Sequence, residues 1–135
     1  MIRVTALDHF VLRVANLEAS LRFYRDLLGL PVQFLEDYRA GQRPFVSVRI
    51  GNQLIDLVPD PTYDADAGRS SGGFLHFCVG VEAGSLSRII PWLKQHDVQL
   101  IEDQPVQRMG ATGMGLSIYI TDPDGYVVEL KEHGA

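Results

Sequence analysis

One pattern occurs twice in this chain, and it limits the possible folds more than any other feature. The segments "LDHFVLRV" (7–14) and "FLHFCVGV" (74–81) both read as first strands, rich in aromatic and β-branched residues. A helix signal follows each. After the first, Asn16 can cap a helix whose apolar positions Leu17, Leu21, Tyr24 and Leu28 keep helical spacing, and Gly29 suits its left-handed end. After the second, "SLSRIIPWLKQHD" (85–97) takes the helix position, and Pro91 predicts a kink or a start near Ile90. Three strand candidates then close each unit. They are "PVQFLED" (31–37), "RPFVSVRI" (43–50) and "NQLIDLV" (52–58), then "VQLIED" (98–103), "GLSIYIT" (115–121) and "YVVELKE" (126–132). The chain reads as α+β, with β-α-β-β-β modules at about 4–58 and 73–132. The connector, 59–72, is rich in Pro, Asp, Gly and Ser and either covers a site or links the modules.

Repetition identifies equivalent positions. Each first strand carries a histidine, His9 or His76, and each fourth strand carries a carboxylate amid aliphatics, Asp56 or Glu129. Imidazole and carboxylate together suit Zn, Fe, Ni, Co or Mn, and a cation offsets the cost of burying a carboxylate. The four residues are therefore candidate ligands of one divalent metal ion. Strand alternation places Val11 and Arg13 on the face of His9, and Val127 and Lys131 on that of Glu129. Taken singly, each residue has an ordinary reading as a satisfied strand histidine or a solvated carboxylate; their equivalence in the repeat favours the metal.

Other motifs carry less. Cys78, the lone cysteine, lies in an apolar strand and reads as a small buried hydrophobe; its solitude excludes a disulfide or a Cys-based zinc site within the chain. His96 and His133 read as surface residues. "RMGATGMG" (108–115) reads as a loop, either solvated or closing over a substrate. With 12 Lys and Arg, a net charge of −5 and no basic cluster, a nucleic-acid partner is not expected. No apolar run approaches the ~20 residues of a membrane helix. The N-terminus lacks a signal-peptide pattern, so a cytoplasmic location is expected.

The doubled pattern, with "LDHFVLRVANLEASLRFYRDLLGL" and "SIYITDPDGYVVEL", resembles the vicinal oxygen chelate superfamily across nearly the whole chain. That superfamily includes glyoxalase I, fosfomycin-resistance enzymes, extradiol dioxygenases and bleomycin-resistance binding proteins. The resemblance implies one domain over 1–135, its modules forming a cup-shaped mixed sheet. It implies a divalent metal on His9, Asp56, His76 and Glu129, with Glu129 also the catalytic candidate. Glyoxalase I has Glu where this chain has the shorter Asp56. Arg13 matches a glutathione-binding arginine, but Asp60 stands where its Asn partner is expected. Ser117 and Tyr119 match positions near a phosphonate, while Val11 replaces an expected Thr. Arg49 joins these as a substrate-side candidate. The resemblance further implies a small-molecule substrate with two neighbouring oxygens and a homodimer, with the site inside one chain or shared between two. A bleomycin-resistance-type binder without catalysis is the alternative.

Overall fold

The computed structural model describes residues 1–64 and 72–133. The chain divides into two compact units, one over Met1–Asp64 and the other spanning the rest. Part of the expected connector, 65–71, lies outside the described residues.

In the first unit, β1 (His9–Val14) leads into α1 (Leu17–Leu21), which continues in π-helical hydrogen bonding over Arg22–Leu27. The Asn16 side chain accepts from the Ala19 amide at 3.0 Å, the expected cap. Gly29, at φ 74°, follows the helix end. Next come β2 (Val32–Gln33), α2 (Leu35–Arg39), β3 (Val46–Ile50) and β4 (Gln53–Pro59). The expected strand 31–37 is cut short because Phe34 turns to φ 68° and begins α2. The strand order is β1-β4-β3-β2: β4 runs parallel to β1, and β2–β4 form an antiparallel meander.

The second unit repeats this plan. It holds β5 (Phe77–Val81), α3 (Leu86–Gln95), β6 (Val106–Gly110), β7 (Gly113–Thr121) and β8 (Val127–Glu132), in the order β5-β8-β7-β6. Three expectations change here. The helix starts before Ile90 and continues through Pro91, which lies in its interior. Its first amide, Leu86 N, donates to Glu132 Oε1 at 3.0 Å, so β8 fixes its start from outside the helix. Segment 98–103 is not a strand; Ile101 alone among its backbone amides reaches β7, at Tyr119 O. The Gly-rich stretch 108–115 is no loop but a β-hairpin, paired as Arg108–Gly115, Met109–Met114 and Gly110–Gly113 around the turn Ala111-Thr112.

Alternation sets the division of labour in both sheets. Leu12, Val14, Val46, Val48, Ile55 and Leu57 bury one face of the first sheet, with Leu21, Phe23 and Tyr24 also in the core. Ile118, Ile120, Val128 and Leu130 do so in the second, with Leu86 and Leu93 of α3 in the core. His9, Asp56, Cys78 and Glu129 fall on the opposite faces by strand parity. Among the described residues, no helix is long and apolar enough to cross a membrane.

Candidate functional site

The repeat holds at the level of strand register. Asp56 pairs with Val11 across β4 and β1, two residues beyond His9. Glu129 pairs with Cys78 across β8 and β5, two residues beyond His76. His76 itself sits just before the start of β5, not inside a strand. Each unit thus sets a histidine beside a carboxylate. His9 Nε2 lies 3.9 Å from Asp56 Oδ2, and His76 Nε2 lies 3.2 Å from Glu129 Oε1. Both carboxylates are buried, Asp56 to 8% and Glu129 to 6% exposure.

The surroundings of the two pairs differ. Asp8 Oδ1 is 2.6 Å from His9 Nδ1, which takes up that nitrogen and leaves Nε2 toward Asp56. This contact raises the His9 pKa above its ordinary 6.5, against a lowering by desolvation and with the Asp56 charge adding to the rise. Ser47, opposite Asp56 on β3, donates its hydroxyl to Asp56 Oδ1 at 2.6 Å. In the second unit the place opposite Glu129 is held by Tyr119. Its ring meets His76 edge-on at 5.2 Å and carries the Arg108 guanidinium 4.4 Å from its centroid. Arg108 also donates to Ser117 Oγ at 2.7 Å and pairs with Glu102. Cys78, expected as a small buried hydrophobe, is instead exposed; its thiol is still pushed up to about 11, by partial desolvation first and then by the Glu129 charge, so it stays protonated near neutrality.

A turn fixes this register. In "DPDG", Asp122 Oδ1 accepts from the Asp124 and Tyr126 amides, both at 2.9 Å, and Gly125 takes φ 84°. The turn sets β8 against β7 and so brings Glu129 opposite Tyr119.

The other expected substrate-side residues have partners of their own. Arg13 faces Asp60 at 3.6 Å, and Arg49 donates to Gln33 Oε1 at 3.1 Å and Gly51 O at 3.3 Å. Asp8, Ser47, Arg108 and Lys131 lie beside the site and escaped sequence reasoning. Alternation put Lys131 on the Glu129 face, the one available signal. His133, expected at the surface, is exposed but reaches back to cover Gly80 and line a cavity.

The donors fit a divalent cation. Each pair presents an imidazole nitrogen to the oxygen of a buried carboxylate, a nitrogen–oxygen set that borderline metals accept. Among the described residues, no three His, Cys, Asp or Glu side chains gather into a metal-holding group; each unit supplies a pair.

The comparisons agree with this architecture. The family described as Glyoxalase/Bleomycin resistance protein/Dioxygenase superfamily matches residues 6–130. A virulence protein of Salmonella typhimurium is 30% identical over 96% of this chain and 85% of its own length. Its crystal structure superposes with a TM-score of 0.76 at 28% identity, covering 98% of this chain and 100% of that one. A lactoylglutathione lyase of Neisseria meningitidis is 28% identical over 90% of this chain and 86% of its own. A metallothiol transferase of Staphylococcus epidermidis is 26% identical over 94% of this chain and 81% of its own. A duplicated β-α-β-β-β plan with a histidine–carboxylate pair in each unit, matched over almost the full length, makes the chain a member of the glyoxalase/bleomycin resistance/dioxygenase superfamily, the vicinal oxygen chelates.

Proposed function

We propose that this protein is a divalent-metal-dependent enzyme acting on a small substrate that presents two neighbouring oxygens. One observation carries the reading: each unit sets a histidine two residues before the strand residue that pairs with a buried carboxylate, and beside that carboxylate. His9, Asp56, His76 and Glu129 would hold the ion as one site built from both modules, within a single domain or across a homodimer. The metal, one of Fe, Mn, Ni, Co or Zn, would supply Lewis acidity toward the substrate oxygens.

The chain's own groups prepare that site. Asp8 fixes the His9 ring through Nδ1 and so aims Nε2. Ser47 holds one oxygen of Asp56 and leaves the other toward His9. Tyr119 packs on His76 and is backed by Arg108, which limits rotation of the imidazole. Glu129, screened from water, is the carboxylate placed to move a proton during the reaction. Arg13, Arg49, Ser117 and Tyr119 are the substrate-side candidates. Similarity to a lyase and a metallothiol transferase supports an isomerisation, elimination or thiol-transfer chemistry. A drug binder without catalysis has no need to bury two carboxylates beside histidines, so the enzyme is the better reading.

Metal analysis of untagged protein purified without chelator tests this, beside a His9→Ala/Glu129→Ala double variant. Near-stoichiometric metal in the parent, lost in the variant, is expected. Absence of metal from both after divalent ions are added would overturn the proposal.

A further inference from the structure

We infer that a pocket on the Glu129 face of the second sheet receives an anionic group of the substrate, a carboxylate or phosphoryl oxyanion, on the Lys131 ammonium. The inference rests on the metal-centred reading above, because it sets this anion beside oxygens held near Glu129.

The cavity measures about 220 Å³ and is lined by Cys78, Thr112, Glu129, Lys131, Glu132 and His133, among others. Lys131 is only 5% exposed. Its ammonium has three donors but makes one long hydrogen bond, 3.3 Å to the Glu132 carbonyl, and no ion pair among the described residues. A buried ammonium with no carboxylate in ion-pair contact is costly, so a site that keeps one has a use for an anion. The two carboxylates lining the cavity are committed elsewhere: Glu129 to His76 at 3.2 Å and Glu132 to the Leu86 amide at 3.0 Å.

The lysine is also built in. A Cβ added at Gly110 would stand 2.8 Å from Lys131 Cε, and one at Gly115 would stand 3.1 Å from Nζ. Two glycines of the β6–β7 hairpin therefore form the track along which the side chain lies. At the hairpin turn, Thr112 Oγ1 and His133 Nδ1 lie 3.4 Å apart and add polar contacts. Along β8, Glu129 and Lys131 are two residues apart on one face, roughly 6.5 Å by the strand rise. The substrate is therefore short, with its anion only a few bonds from its chelating oxygens. In a chain of net charge −5, a fixed local cation is what lets such an anion settle.

The test uses metal-stripped full-length protein at constant ionic strength, titrated separately with acetate and inorganic phosphate. Backbone amide shifts of Thr112, Gly113 and Lys131 are the readout. Saturable shifts from at least one anion are expected, and the tighter probe decides between carboxylate and phosphoryl. Lys131→Met is expected to weaken that binding at least tenfold. Gly110→Ala, which displaces the amine without removing it, should weaken it several-fold, and Arg88→Ala, which removes an exposed cation elsewhere in the same unit, should leave it unchanged. No saturable shift in the parent would overturn the proposal, as would equal binding by Lys131→Met. Anion binding by a protein that takes up no metal would retain the subsite and discard the metal centre.

Discussion

The two modules reach the same histidine–carboxylate geometry by different means. In the first, hydrogen bonds hold both members: Asp8 fixes His9 and Ser47 fixes Asp56, leaving their facing atoms 3.9 Å apart. In the second, packing does most of this: Tyr119 lies against His76, and Glu129 comes within 3.2 Å of the ring. A duplicated backbone thus fixes where the histidines and carboxylates stand, while the neighbouring side chains are free to diverge. The first pair is the more separable because each member has its own partner. The second is the tighter, and it shares its face with the thiol and the amine that line the anion pocket.

Glu129→Gln should have the largest effect. It keeps the shape but removes a buried charge. Metal affinity, read by competition with a chelating dye, should fall by more than the roughly 10- to 100-fold that losing an outer partner costs. Asp8→Asn tests the hydrogen-bonded side and should cost about 10- to 100-fold in the same assay. It should also return the His9 pKa toward 6.5, since the Asp8 contact is the main cause of its rise. Because that pKa is raised, the Asp8–His9 contribution to metal-free stability is fully present below about pH 6.5 and fades as pH climbs through the higher folded value. Imidazole shifts followed by NMR in both proteins check this.

A smaller effect concerns Cys78. With its thiol held up to about 11, alkylation near pH 8 should run slower than for a free thiol. Glu129→Gln should recover only part of the rate, because desolvation is the larger cause. Smallest is the pair of helix starts. Asn16→Ala should cost about 1 kcal/mol in denaturant unfolding. Ser85→Ala removes no cap, since Ser85 Oγ donates to Glu82 O while Glu132 receives the Leu86 amide.

What was legible in the sequence follows from what is local or repeated. The Asn16 cap and the strand alternation around Asp56 and Glu129 depend on neighbours in the chain, and the repeat made His9 and His76 equivalent. Misreadings came where tertiary context overrode local pattern. Phe34 adopts a left-handed backbone that its hydrophobic, strand-like flanks conceal. Segment 98–103 has strand composition but pairs only through Ile101, while the Gly-rich 108–115 takes the edge position as a hairpin. Two of its glycines, Gly110 and Gly115, leave room for Lys131 and the β8 backbone, a constraint that spans 16 to 21 residues of sequence and leaves no periodic trace. Ser47 and Arg108 were invisible for the same reason: their partners lie across the sheet.

If the two pairs are to hold one metal ion as proposed, neither can bind it tightly alone. Titrating metal-free parent, His9→Ala and His76→Ala proteins with a single divalent ion and counting tight sites per chain decides this. One tight ion per chain is expected in the parent and none in either variant. Two ions per parent chain, or one variant keeping a tight site that the other loses, would show that the pairs act separately and would contradict the proposal.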